Sequence, residues 1–332
     1  MPGAYALGCA GPVLRPDEAA FFRDADPWGF ILFARNCETP EQLRALTGAL
    51  REAVGRDAPV MIDQEGGRVQ RMAPPRWDAY LPALDQMRAA GPHWAEAMHL
   101  RARLIADELQ AAGIDVNCAP LADLVEPQTH PVLLNRLYGN DPEQVVAAAR
   151  AVVAGQMAQG VLPVLKHVPG YGRAALDGHL SLSRLTQPLA ELEARDFAPF
   201  RVLADIRMAM TAHIVVEAID PDRPATTSPA VIDYVRAQMG VKGLLMTDDI
   251  SMQALSGTVG ARSAAALAAG CDLVLHCNGD LAEMAAVAAI GPLSAEGARR
   301  ADHALAERRA PEPFDRRAAK ARLAALLGSA AA

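Results

Sequence analysis

The chain lacks several things whose absence narrows its function. No apolar segment approaches the roughly 18 residues of a membrane-crossing helix. No run of Lys and Arg occurs, and the net charge is −7, so nucleic acid is not an expected partner. The start, Met1-Pro2-Gly3-Ala4-Tyr5, has neither the basic opening nor the long apolar stretch of a secretory signal, and a cytoplasmic location is expected. No CxxC pair exists. The five cysteines, Cys9, Cys37, Cys118, Cys271 and Cys277, lie in or beside apolar runs and read as buried free thiols. No GxGxxG follows the first strand, which weakens a dinucleotide-binding reading.

What is present is a regular alternation. Short apolar runs read as strands at Tyr5–Ala10, Gly29–Ala34, Pro59–Ile62, Ile114–Cys118, Val161–Leu165, Met208–Ala212, Gly243–Thr247 and Cys271–Leu275. Helical segments fall between them: from Pro16, Pro40–Val54 with Thr39 as N-cap, about His93 to Ala112, and Pro142–Gln159 behind Asp141. Others follow at Pro188–Ala204, Pro229–Met239 behind Ser228, and Val259–Ala269. An Ala- and Arg-rich helical tail begins near residue 281. Strands that read as unbroken apolar runs are buried on both faces, which means a parallel sheet. The pattern predicts a single α/β domain over residues 1–332, a (β/α)₈ TIM-type barrel, with a doubly wound open sheet as the alternative.

In such a barrel, chemistry sits at the C-terminal ends of the strands. Those ends carry Arg35, Asp63, Lys166-His167, His213, Asp248 and His276. Buried charges need partners, and a ring of them at one rim can serve one another and a polar ligand. Asp248 ends an apolar strand, which suits a nucleophile or a stabiliser of a cation; Asp249 reads as a cap of the following helix. Asp63 can accept hydrogen bonds from paired hydroxyls, Gly66-Gly67 would let backbone approach a ligand, and Arg68 and Arg71 either bind ligand or pair with the barrel's acids. Lys166 and His167 are consecutive, so they reach one ligand only if their strand bends. Beyond them, Pro169, Gly170 and Gly172 open a long loop carrying Asp177 and His179, a pair able to give and take one proton. His213 serves equally as a structural residue or a ligand contact; His276 reads as structural, and His130 as surface or packing.

Taken together these segments resemble glycoside hydrolase family 3, in its short single-domain β-N-acetylglucosaminidase branch. Lys166–His179 resembles that branch's K-H-F-P-G-H-G, four variable residues, D-S-H. Asp63–Arg71 (DQEGGRVQR), Asn135–Pro142 (NRLYGNDP) and Thr247–Met252 (TDDISM) resemble its other segments, as do Gly29–Asn36, Gly113–Pro120 and Met210–His213. The likeness runs in order from about residue 7 to about residue 280.

The resemblance implies a barrel that removes terminal β-linked N-acetylglucosamine with retention, without metal or organic cofactor. It implies Asp248 as nucleophile, His179 oriented by Asp177 as acid/base, and Asp63, Arg71, Arg136, Lys166, His167 and His213 around the sugar. Its substrates would be muropeptides, notably 1,6-anhydro-muropeptides of cell-wall recycling, or N-acetylglucosamine-terminated oligosaccharides, and its form a monomer or weak homo-oligomer. Tyr171, Gly178 and a Leu182–Leu185 stretch without proline depart from the pattern. β-Glucosidase or phosphorylase activity, a metal-dependent hydrolase and a sugar-binding pseudoenzyme are the alternatives.

Overall fold

The computed structural model describes residues 1–174 and 182–328. Eight strand positions form one parallel sheet: β1 (Gly3–Leu7), β2 (Pro27–Leu32), β3 (Val60–Ile62), β4 (Val116–Asn117), β5 (Leu162–Pro163 and Leu165–Val168), β6 (Met208–Thr211), β7 (Leu244–Asp249) and β8 (Leu273–His276). Neighbours follow chain order, and β8 pairs with β1. The first half of β5 pairs with β4 and the second half with β6, with only Val164 between them. The amide of Lys166 also donates to Pro120 O at 3.1 Å, and that of Ala122 to Lys166 O at 2.8 Å. The sheet therefore closes on itself, and the open-sheet alternative falls.

The apolar runs divide between two cores by the period-two alternation of a strand. Ala4, Ala6, Ile31, Met61, Val116, Val164, Met208, Met210, Leu244, Met246, Leu273 and Leu275 fill the barrel interior. Their sequence neighbours Tyr5, Leu7, Phe30, Leu32, Ala209, Leu245 and Val274 meet the outer helices. This explains why each run reads as apolar throughout.

The outer helices start where caps predict. Thr39 accepts from Gln42 N, Asp141 from Glu143 N, Ser228 from Val231 N and Thr258 from Ala261 N. Helices Leu281–Ala288, Ala295–Leu305 and Arg316–Gly328 make up the tail. Leu293, Ala301 and Ala304 pack into the barrel interior, and Arg316 donates to Asp107 and Glu108 at 2.7 Å each.

Several boundaries differ from expectation. β1 and β2 sit about two residues earlier, β4 keeps only its centre, and β5 and β7 run on through Lys166-His167 and Asp248-Asp249. A helix at Ala83–Ala90 precedes the one expected from about His93. The expected Pro188–Ala204 helix is two, Leu189–Ala194 and Ala198–Val202. The break holds buried Asp196, whose carboxylate turns inward to accept from Arg173 Nε at 2.9 Å. No helix of the described residues is long and apolar enough to cross a membrane.

Candidate active site

One cavity of about 210 Å³ opens at the C-terminal end of the barrel. It is lined by Asp63, Arg71, Arg136, Lys166, His167, His213 and Asp248, together with Arg68, His130, Tyr171 and Met252. Sites for drug-sized ligands run to roughly 300–1,000 Å³, so this one suits a single small ring.

The wall at β3 begins with a tight hairpin, Gln64–Gly66 against Val69–Gln70. Gly66 has φ +91°, and a Cβ there would lie 2.2 Å from the Arg101 guanidinium. The glycines thus make room for Arg101 and Pro82, a protein contact rather than the ligand approach expected from the sequence. Arg101 is buried and donates to Glu65 O at 2.5 Å and to Gln86 Oε1 at 2.8 Å. Gln64 and Asn117 exchange hydrogen bonds, Gln64 N to Asn117 Oδ1 at 3.0 Å and Asn117 Nδ2 to Gln64 O at 3.1 Å. The Gln64 amide oxygen accepts from Arg71 N at 2.8 Å, which fixes where Arg71 starts.

This frame holds a cluster of charges. Lys166 Nζ lies 2.9 Å from Asp63 Oδ1 and 2.7 Å from Glu65 Oε1. Arg136 grips Glu65 with two parallel bonds of 2.9 and 2.8 Å, the geometry a guanidinium makes best. Arg71 donates to Asp63 Oδ2 at 3.2 Å and stacks over Phe33, 5.0 Å from the ring centre. Burial pushes the Asp63 and Glu65 carboxyls up, but the neighbouring cations outweigh it. Lys166 and Arg71 hold Asp63 well below the usual carboxylate range, and Arg136 and Lys166 hold Glu65 down to about 2. Burial opposes the charge on Lys166, yet Asp63 and Glu65 raise its pKa overall.

A pH dependence follows. Carboxyls depressed in the fold contribute stability that is complete above their unfolded values and lost as pH falls through the folded ones. The melting temperature should therefore hold above about pH 4.5 and drop as pH falls toward 2, the interval between the ordinary and folded values of Glu65. Thermal melts across that interval check it; a flat profile would show that these ion pairs do not hold the rim.

His167 and His213 differ in what they have left to offer. His213 Nε2 donates to Asp249 O at 2.9 Å, since a carbonyl only accepts. Its Nδ1 meets Thr226 Oγ1 at 2.7 Å. Burial lowers its pKa and favours the neutral ring. Both nitrogens are then engaged, and His213 pins the backbone beside Asp248. His167 Nδ1 meets Asp123 Oδ2 at 2.8 Å, and Nε2 has no hydrogen-bond partner among the described residues. The ladder between β5 and β6 shifts register here, the bend that the consecutive pair required. The Lys166-His167 peptide is cis, and both side chains reach the same cavity.

Asp248 stands at the end of β7 and accepts from Asp249 N at 2.8 Å. Among the described residues it has no cationic partner. Asp249 caps the turn that follows β7, through Ser251 N at 3.1 Å and Ser251 Oγ at 2.8 Å, while Thr258 caps the helix that Asp249 was expected to start.

The structure thus gathers seven of the nine expected site residues; Asp177 and His179 lie outside the described residues. Two rim residues are elsewhere. Arg35 donates to Cys9 O at 2.9 Å and Cys277 O at 2.5 Å, and buried His276 pairs with Glu283 at 2.9 Å. His130, read as surface or packing, is on the cavity wall, its Nδ1 accepting from Val132 N at 3.2 Å. Glu65 and Asp123 were missed as site residues. Their signal was present: each is a carboxylate inside an otherwise apolar or glycine-rich stretch, where burial demands a partner.

Comparison with known proteins gives one answer. Residues 16–301 match the glycosyl hydrolase family 3 N terminal domain. A β-hexosaminidase of Alkalilimnicola ehrlichii is 40% identical over 285 residues, spanning 83% of this chain and 81% of that protein. The crystal structure of native NagZ from Neisseria gonorrhoeae superposes with a TM-score of 0.84 at 29% identity, covering 100% of this chain and 98% of that one. A family 3 β-N-acetylglucosaminidase from Paenibacillus superposes with a TM-score of 0.83 at 29% identity, over 97% of this chain and 61% of that longer one. The match to the family domain spans most of the chain, and the barrel, its rim and the relatives agree: this chain belongs to glycosyl hydrolase family 3.

Proposed function

We propose that the protein is a retaining β-N-acetylhexosaminidase that releases terminal, non-reducing β-linked N-acetylglucosamine. The observation that carries this reading is the cavity itself. It has room for one ring, is lined by Asp63, Arg71, Arg136 and Lys166, and has on its wall a carboxylate, Asp248, without a cationic partner among the described residues. The names of the relatives, β-hexosaminidase and β-N-acetylglucosaminidase, give the sugar.

The reaction is double displacement. Asp63, Lys166, Arg136, Arg71 and His167 hold the sugar's hydroxyls and acetamido group. One oxygen of Asp248 is oriented by Asp249 N, and the carboxylate attacks the anomeric carbon. His179, oriented by Asp177, protonates the departing oxygen. The same His179 then deprotonates the water that releases the sugar from Asp248. Here a histidine takes the place of the second carboxylate of the usual retaining pair. His213 acts through the backbone, fixing the end of the strand that presents Asp248.

We place the substrate among 1,6-anhydro-muropeptides of cell-wall recycling in the cytoplasm, handled by one domain as a monomer or weak homo-oligomer. The direct test is release of p-nitrophenol from its β-N-acetylglucosaminide beside the β-glucoside. Release from the first alone is expected; preference for the glucoside would reverse the specificity.

A further inference from the structure

Asp123 is a buried acid that the reaction scheme leaves unused. Its side chain is fully buried, beyond the end of β4. One oxygen, Oδ2, meets His167 Nδ1 at 2.8 Å and accepts from His167 N at 3.2 Å. The other, Oδ1, accepts from Tyr171 N at 2.6 Å. A carboxylate only accepts, so three donors satisfy it and the ring proton must sit on Nδ1. Tyr171 stands at the root of the segment that leads to Asp177 and His179, and its ring lies 5.8 Å from that of His167.

We propose that Asp123 is a positioning residue for the sugar site: it fixes Nδ1 as the protonated nitrogen of His167, leaving Nε2 to the sugar, and with its other oxygen ties Tyr171 to the same point. The role rests on the reading of the cavity as a sugar site. One carboxylate thereby sets both a sugar contact and the start of the chain that carries the proton donor. A burial role alone would not need two separate oxygens aimed at two functional segments.

Asp123→Asn tests this, because an amide offers one acceptor atom in place of two. With the aryl β-N-acetylglucosaminide, KM should rise about tenfold, the equivalent of one hydrogen bond, while kcat changes far less. In a His167→Ala background the same substitution should raise KM no further. An unchanged KM in the single variant would overturn the proposal. So would an equal further rise in the double variant, which would mean that Asp123 does not act through His167. A second measurement needs no folded variant and no turnover: the ¹⁵N NMR spectrum of the unmodified protein should show Nδ1 of His167 protonated. A bare Nδ1 would overturn the proposal outright. Failure of the unmodified protein to cleave the glycoside would sink the sugar reading, and the tautomer would still be read.

Discussion

Replacing Asp248 by Asn is expected to lower kcat on the order of 10⁴-fold or more, the scale reached when a covalent nucleophile is removed. The loss should be similar for every leaving group. An amide of the same shape keeps the hydrogen bond from Asp249 N, which ends on Asp248 Oδ1 at 2.8 Å. It removes the charge and the nucleophilic oxygen. Because Asp248 is half-buried and forms no ion pair with a described residue, the substitution should leave the melting temperature within a few degrees. Activity lost with stability kept would mark a chemical role. A variant with near-normal kcat would remove Asp248 from the mechanism.

His179→Ala should behave differently. The residue is assigned to proton transfer, and its effect depends on how much help the leaving group needs. For a sugar or alkyl leaving group, kcat/KM should fall by roughly 10²–10⁴-fold, the range of general acid catalysis. For p-nitrophenol, whose anion leaves unaided, kcat/KM should fall by about tenfold at most. The ratio kcat/KM is the right quantity, because it reports steps up to the first bond cleavage and excludes the slow second step in which the same histidine acts as base. Equal losses on both substrate types would take the acid role away from His179.

Much of this molecule was legible in its sequence because the signals were local. Thr39, Asp141 and Ser228 announced their helices, and each cap is made. Apolar runs ending in Asp63, His213 and Asp248 announced strands with chemistry at their ends, and those side chains share one cavity. What was hidden depended on contacts between distant parts. The helix Ala83–Ala90 starts behind Pro82 without a side-chain cap, so nothing separated it from the proline-rich stretch before it. The Pro188–Ala204 segment has helical composition throughout, and it breaks where Asp196 serves Arg173, a residue in the turn beyond β5. Arg35 resembled a rim ligand until its guanidinium was found on the carbonyls of Cys9 and Cys277. His130 had no neighbours of note along the chain; folding brings it to the cavity wall.

The cysteines illustrate the same division. Four of the five are buried and all are free thiols, as their apolar surroundings suggested. Burial pushes the thiols of Cys9 and Cys271 up to about 12, so neither is poised as a nucleophile.

The central claim is a covalent sugar on Asp248, and trapping it is the most direct test. A fluorinated aryl N-acetylglucosaminide, which slows release more than attack, should accumulate on the enzyme. Digestion and mass spectrometry should then place one sugar on the peptide containing Thr247-Asp248-Asp249, and Asp248→Asn should take up none. A sugar bound at another residue, or turnover of the reagent with inversion and no adduct, would contradict the account.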